Sequence, residues 1–480
     1  MRPARSARSR SMASAAERLA AHLPRPWRAG AGADHPPGSG VPIAPGLACP
    51  GQRFMSAQPL QGDVTRRSIS DLADLPHSFE AGFSEDFAAL FGTAERLFKA
   101  GSKRIVVFRG EDLRKIAALP AVGNMPLRAL AERAMEEAGD DRAEQDQPDV
   151  SNFGRILFNQ VFTANPPLHG PTRQLLAKPF GMKQVAAFDD LVRCVVDTVL
   201  AEVAGAGEID FGFDFTEQVT AGFWGALIGL MPSEQRQVVE QVRAMTPFFF
   251  LVRTTAETIQ ANAAIGAYLS LMATAIDRTL AEGNNPLLAT MAAEFGAITI
   301  EGKPESVALS LAANLIDGFH TAALAAANAT YQLLCHPAAV AEVRADLQRV
   351  GAAIDEGLRM LSPVIVTHRY ALEDFVFDDV LVPAGTAIAM LWAAGNRDPE
   401  IFEDPGAYRL ERTRRYDATF GGGIHLCPGR NIARLMVHRM LARLFAPDVR
   451  IELAGPVEWI KQSTMRQPYR MPARIDIARD

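Results

Sequence analysis

From Ser84 onward the apolar positions fall mostly on a helical period. Leu127–Ala138, Val185–Ala204, Glu217–Met231, Glu234–Phe250 and Thr255–Leu280 each carry apolar residues near i, i+3 and i+4, which predicts amphipathic helices packed on a common core. A longer helix is expected over Glu305–Leu334, with Pro304 at its start and His336-Pro337 at its end. At about 1.5 Å per residue it would run on the order of 45 Å, enough to cross the molecule. Strand-like alternation is short: Arg104–Phe108, Thr367–Ala371, Phe375–Phe377, Ala387–Met390 and Arg450–Leu453. There is no internal repeat. No apolar run reaches the roughly 18 residues of a bilayer span, so none is expected.

Against this helical background one loop stands out, Phe420-Gly-Gly-Gly-Ile-His-Leu-Cys-Pro-Gly429. Three consecutive glycines let the backbone turn tightly and approach a flat ligand. Pro428 suits the first turn of a helix, and the segment from Arg430 to Leu441 has helical periodicity. Cys427 therefore sits at a helix N-terminus, where partial positive charge favours thiolate over thiol. A bound metal would complete the deprotonation.

The loop resembles the haem-binding signature of the cytochrome P450 superfamily, with Phe420, Gly423, His425, Cys427 and Gly429 in register. The resemblance extends from about Met55 to the C-terminus and is to the soluble bacterial members. It implies a mainly α fold with small β-sheets (α+β), a triangular prism of one domain enclosing haem b. Cys427 would be the axial iron ligand. Glu356-Gly-Leu-Arg359 matches the Glu-x-x-Arg pair, whose i, i+3 spacing puts both side chains on one helix face, and Arg412 fits the third member of that structural triad. His169, Arg173, Arg369 and His425 match the donors that hold the two haem propionates; two carboxylates at the edge of a buried macrocycle need charge-assisted hydrogen bonds.

In the long helix, Leu315-Ile-Asp-Gly-Phe-His-Thr-Ala322 corresponds to the oxygen-activating stretch. Gly318 would leave a groove over the haem, and Thr321 would relay protons. The chain departs from the family at two positions: the acid slot holds His320 and the alanine slot holds Asp317. A histidine can shuttle protons near neutrality, and Asp317 lies one turn before Thr321, so either can supply the acid. The resemblance also suggests a pocket of Phe153, Phe158, Phe249, Asn314, Phe319, Val364, Val366 and Thr464 around a hydrophobic substrate. Arg430, Arg434, Arg439 and Arg443, with Arg414 and Arg415 before them, form a basic face on the cysteine side where a ferredoxin-type redox partner would dock. NAD(P)H would act only through a separate reductase. A peroxide-driven peroxygenase and a haem-thiolate isomerase or sensor are the alternative activities.

Composition narrows this further. At 48% hydrophobic and 22% charged residues the chain can bury a large core, and a net charge of −6 gives no support for nucleic-acid binding. Cys49, Cys194, Cys335 and Cys427 form no closely spaced pair, which argues against a zinc module and fits a reducing, cytoplasmic compartment. A monomer is expected. Residues 1–54 carry eight arginines and only Glu17 and Asp34 as acids, +6 in all, leaving −12 for the rest. They read as a disordered tail, an upstream extension of a chain that starts at Met55, or an organellar transit peptide. Residues 55–480 are expected to form the haem domain.

Overall fold

The computed structural model describes residues 66–76, 87–125, 149–298, 306–413, 416–461 and 463–478. The N-terminal extension, the helix expected over Leu127–Ala138, and Arg414 and Arg415 lie outside these residues. In chain order the longer helices are α1 (Gly110–Ala117), α2 (Ser151–Asn159), α3 (His169–Ala177), α4 (Asp189–Val203), α5 (Glu217–Ile228), α6 (Pro232–Ala244), α7 (Thr255–Glu282), α8 (Pro286–Gly296), α9 (Val307–Leu334), α10 (Pro337–Ala345), α11 (Val350–Met360) and α12 (Arg430–Leu444). The strands are β1 (Leu97–Lys99), β2 (Arg104–Val107), β3 (Val122–Gly123), β4 (Glu208–Asp210), β5 (Thr367–Ala371), β6 (Phe375–Phe377), β7 (Val380–Val382), β8 (Ala387–Met390), β9 (Val449–Leu453), β10 (Glu458–Trp459), β11 (Pro468–Arg470) and β12 (Pro472–Ile477). A five-stranded sheet has the order β1-β2-β8-β5-β3, a second runs β4-β12-β9, and β6-β7 and β10-β11 are hairpins.

Helix α9 is the axis of the core. It packs against α5, α7, α11 and α12, and its residues are buried on nearly every side. It begins at Val307 with Ser306 as its cap, the Ser306 hydroxyl accepting the Leu309 amide at 3.0 Å; Pro304 and Glu305, where the sequence suggested its start, lie outside the described residues. Such a cap contributes about 1 kcal/mol. Thr254 and Glu257 form the reciprocal capping box that starts α7. Both α7 and α9 are long and apolar enough to cross a bilayer by length and composition, though neither is an uninterrupted apolar run. Each contributes to the same hydrophobic core, which accounts for the apolarity. The helix expected over Glu234–Phe250 is broken at Ala244, and Thr246–Phe249 forms a short 3₁₀ turn with Pro247 in its first positions. That turn is tied to the far C-terminal region, where the Thr464 amide donates to the Phe249 carbonyl at 3.0 Å.

Candidate haem site

The loop around Cys427 is fixed by close packing. A Cβ at Gly423, which has φ +63°, would lie 1.9 Å from the Ala117 carbonyl oxygen, so no side chain is accommodated there. The Cys427 amide donates to the Phe420 carbonyl at 3.0 Å and closes the loop. The indole of Trp392 lies beside Gly422 and is itself held by a 2.8 Å hydrogen bond to the Thr367 hydroxyl. Behind the cysteine, α12 starts at Arg430 and the Gly429 amide donates to the cysteine sulfur. The helix terminus does not by itself yield a thiolate: burial pushes the Cys427 thiol up to about 11, against the Gly429 amide, Arg173 and Arg430, which favour the anion. A thiolate at this position would need further positive charge at the sulfur, which a bound metal would supply.

Beneath the loop, Glu356 on α11 is fully engaged. Arg359 meets its two oxygens at 2.8 and 2.8 Å, Arg412 at 3.1 and 3.2 Å, and the Arg409 amide donates at 2.9 Å. The remaining Arg359 donors reach the carbonyls of Asn396, Pro405 and Ala407, so the triad fastens α11 to the irregular segment before the cysteine loop. Burial drives the Glu356 carboxyl upward, but Arg359, the Arg409 amide and Arg412 act together against it and leave the group below its ordinary value.

The four basic residues converge at one edge. His169 opens α3 and Arg173 follows one turn later; Arg369 is in β5, and the His169 and His425 rings lie 4.3 Å apart. Arg369 is 7% exposed with its guanidinium 5.4 Å from the Phe162 ring, and burial pushes it down to about 10. Burial also pushes His425 down to about 3, reinforced by Arg369, His169 and Arg173. Among the described residues no carboxylate pairs with Arg173 or Arg369. A desolvated cluster of cationic donors without a counter-anion is an anion-binding edge.

Helix α9 brings Asp317 within electrostatic reach of the sulfur, with Thr321 one turn further along. The Asp317 side chain is accessible yet deep in the fold, so it borders an internal cleft, and its charge is felt at the Cys427 sulfur. Burial pushes its carboxyl up to about 7. The Thr321 hydroxyl donates to the Asp317 carbonyl at 2.6 Å. Gln160, which the sequence did not single out, has its amide 3.5 Å from the carboxylate.

His320 is turned the other way. It is 2% exposed and stacked on Phe249 with ring centroids 5.5 Å apart. The Gln467 amide lies beside the ring, but neither ring nitrogen has a well-formed partner. Burial pushes His320 down to about 4, so it is neutral at pH 7 and does not border the cleft; the expectation that it serves as a proton shuttle is corrected. It does predict an acid liability. A folded-state value of about 4 against an ordinary 6.5 means stability is whole above 6.5 and is lost as pH falls through 4, by about 3 kcal/mol in full. His320→Phe should flatten the decline in denaturant midpoint between pH 7 and pH 4; an unchanged decline would contradict the burial argument.

Two further expectations change. A Cβ at Gly318 would lie 2.5 Å from the Trp224 indole, so this glycine serves the approach of α5 to α9 rather than a groove over the cofactor. Phe319 packs on Trp224 and Tyr268 in the core, and Val366 is buried beside the five-stranded sheet. Asn314 spends its side chain pinning the end of α2: its oxygen accepts the Val161 amide and its nitrogen donates to the Asn159 carbonyl, both at 2.8 Å. Phe153 is buried against Phe248, whereas Phe158 on α2 remains 38% exposed. Val364 bridges to Met465, beside the Thr464–Phe249 contact. On the sulfur side, Arg434 pairs with Asp355, Arg439 with Asp189 at 2.5 Å, and Arg443 with Asp197 and Asp448 at 3.0 and 2.9 Å. Arg430 joins no ion pair among the described residues, so much of the expected basic face is neutralised by the protein's own carboxylates.

Residues 231–446 match the family model described as Cytochrome P450. The chain belongs to the cytochrome P450 superfamily. It is 27% identical over 335 residues to 6-deoxyerythronolide B hydroxylase of Saccharopolyspora erythraea, spanning 68% of this chain and 80% of that protein. It is 29% identical over 318 residues to C-19 steroid 1alpha-hydroxylase of Sorangium cellulosum, spanning 64% and 79%. The fold is similar to that of CYP105P1 in complex with filipin I, with a TM-score of 0.68 and 20% identity over 85% of this chain and all (100%) of that one. As a P450 the protein is an oxidoreductase of the monooxygenase type, with haem iron carried on a cysteine thiolate. Its residues fit that group: a buried sulfur, a cleft above it, and an edge of unpaired cationic donors.

Proposed function

We propose that this P450 inserts one oxygen atom of dioxygen into a hydrophobic organic substrate, with Cys427 as the iron ligand and electrons delivered from NAD(P)H through a reductase and a separate ferredoxin-type protein. The reading is supported by one set of contacts: the Cys427 sulfur feels the charges of Asp317 and Arg173, Thr321 is bonded to the Asp317 carbonyl, and His425 lies within the field of Arg369, His169 and Arg173. When bound, the haem supplies activation of dioxygen and oxygen-atom transfer, chemistry that belongs to the cofactor.

The chain's own residues do the rest. His169, Arg173, Arg369 and His425 hold the two propionates, and the Glu356 triad keeps the cysteine loop in register. Asp317 holds a proton on its carboxyl at or below neutrality, and the Thr321 hydroxyl, fixed to the Asp317 carbonyl, stands beside it to pass that proton into the cleft. Phe158, Phe249, Val364 and Thr464 are retained as candidates for the substrate wall. Relatives named for a C-19 steroid and for 6-deoxyerythronolide B favour a bulky, largely apolar substrate. The partner docks on the cysteine side around Arg430. We place the activity in residues 55–480, acting as a cytoplasmic monomer.

A spin-state screen against steroids, terpenoids, fatty acids and aromatics, followed by turnover of the hits, tests the reading. Product should form with NAD(P)H, reductase and ferredoxin. Equal or faster turnover on hydrogen peroxide alone would assign a peroxygenase, and failure of both with an intact haem-thiolate spectrum would assign an isomerase or sensor. Proton delivery has its own test. Because the Asp317 carboxyl is protonated below about 7 and ionised above it, product formed per electron should fall as pH rises through 7. That dependence should vanish in Asp317→Asn. Thr321→Ala should divert electrons to peroxide by roughly tenfold or more, within the usual range for a proton-transfer group; full coupling in Thr321→Ala would remove it from the relay.

A further inference from the structure

One hydrogen-bond network at the cationic edge leads beyond the residues assigned so far. Asn124 follows β3, where Gly123 pairs with Tyr370 of β5. Its backbone is clamped on both sides by one amide: the Asn124 N–H donates to Asn165 Oδ1 at 2.8 Å, and Asn165 Nδ2 donates to the Asn124 carbonyl at 2.9 Å. The clamp requires glycine at 123, since a Cβ there would lie 2.6 Å from Asn165 Oδ1. The Asn124 side chain then has one permitted orientation. Its Nδ2 faces the carbonyl oxygens of Phe162 at 2.8 Å and Ala164 at 3.1 Å, and a flipped amide would set oxygen against oxygen. The same Nδ2 lies 3.2 Å from His425 Nε2.

An amide nitrogen only donates, so His425 Nε2 must accept, and the neutral ring carries its proton on Nδ1. The two amide hydrogens serve three acceptors, one fully on Phe162 and the other shared between Ala164 and the imidazole. The adjacent His169 ring confines His425 from another side. We propose that Asn124 is a positioning residue for the cofactor: it fixes the His425 tautomer and ring so that Nδ1–H is the donor offered to a propionate carboxylate. Partners of this kind, one step removed from the bound group, typically change affinity 10- to 100-fold when removed.

The inference rests on the reading of the Cys427 cleft as the haem site. Asn124→Asp replaces the donor with acceptors facing two carbonyls and an imidazole. Haem transfer from the ferric holoprotein to an excess of apomyoglobin should accelerate about tenfold or more, with the midpoint potential displaced as well. The decisive arm is a double-mutant cycle. In a His425→Ala background, Asn124→Asp should cause no further acceleration, because the group it positions is gone. Equal acceleration in both backgrounds, or none in the wild-type background, overturns the proposal. If Asn124→Asp does not accumulate as holoprotein, Asn124→Ala removes the donor without adding charge and carries the same cycle. Failure of the parent protein to hold haem on a thiolate would instead overturn the site assignment itself, a separable result.

Discussion

Cys427→Ala is expected to lower monooxygenase turnover by more than about a thousandfold, the scale on which loss of a group needed in the transition state is felt. The fold around it should survive. The N-terminal end of α12 is held independently by Asn431, which donates to the Phe180 carbonyl at 3.1 Å, and by the Arg439–Asp189 pair further along. The loop closes through backbone atoms, not through the sulfur. Any haem retained by the cationic edge should lack the carbon monoxide band of thiolate-ligated ferrous iron. That spectrum and turnover with the redox partners are the measurements. The other described cysteines are poor substitutes: Cys194 is in α4 and Cys335 is exposed at the end of α9. Persistence of the thiolate band in Cys427→Ala would move the iron elsewhere and undo the site.

The second large effect concerns stability. Arg359→Met strands the Glu356 carboxylate in the interior with only Arg412 and one backbone amide, and breaking such a buried pair typically costs about 3–5 kcal/mol. Native domains hold only about 5–15 kcal/mol in reserve, so the variant should lose much of it and yield little holoprotein. The guanidinium also donates to three carbonyls; Pro405 keeps Arg397 and Ala407 keeps Arg412 as donors, but Asn396 loses the bond from Arg359. Arg443→Met is the control, because its pairs with Asp197 and Asp448 are at the surface and such pairs contribute about 0–1 kcal/mol. Denaturant unfolding should separate the two variants by several kcal/mol. Glu356→Leu combined with Arg359→Met should be less damaging than Arg359→Met alone, since it removes the stranded carboxylate while Arg412 keeps the carbonyls of Glu403, Asp404 and Ala407 as partners; a double variant at least as unstable would show that the lost carbonyl contact and the unpaired Arg412 dominate.

Much of this site is legible in the residues themselves because the chemistry demands particular side chains at fixed spacings. The glycine loop before Cys427, the i, i+3 pair Glu356/Arg359 and the late Arg412 are found together because each has a local geometric reason. What escaped the sequence depends on helix rotation and on partners far along the chain. Asp317 and His320 are three residues apart on α9, and only the packing of Phe249 against the imidazole reveals which one borders the cleft. Gly318 looks like a gap left for a ligand until Trp224 is found filling it. Asn124 has no distinguishing pattern around it, and its meaning comes from Asn165 and His425. The basic face misled for the opposite reason: Asp189, Asp197, Asp355 and Asp448 are dispersed in the chain but meet the arginines in space.

The five-stranded sheet carries a consequence for how the protein is made. Strand β2 pairs in parallel with β8, Arg104 against Ala387, and β3 pairs with β5, Gly123 against Tyr370. These contacts join segments from opposite ends of the chain, the kind of long-range closure that slows folding. Asn124 and Arg369 reach their places only when that sheet is complete. The cationic edge therefore cannot form on a nascent chain whose C-terminal portion is still being synthesised, and cofactor capture becomes a late event in biogenesis, after Cys427 itself has emerged.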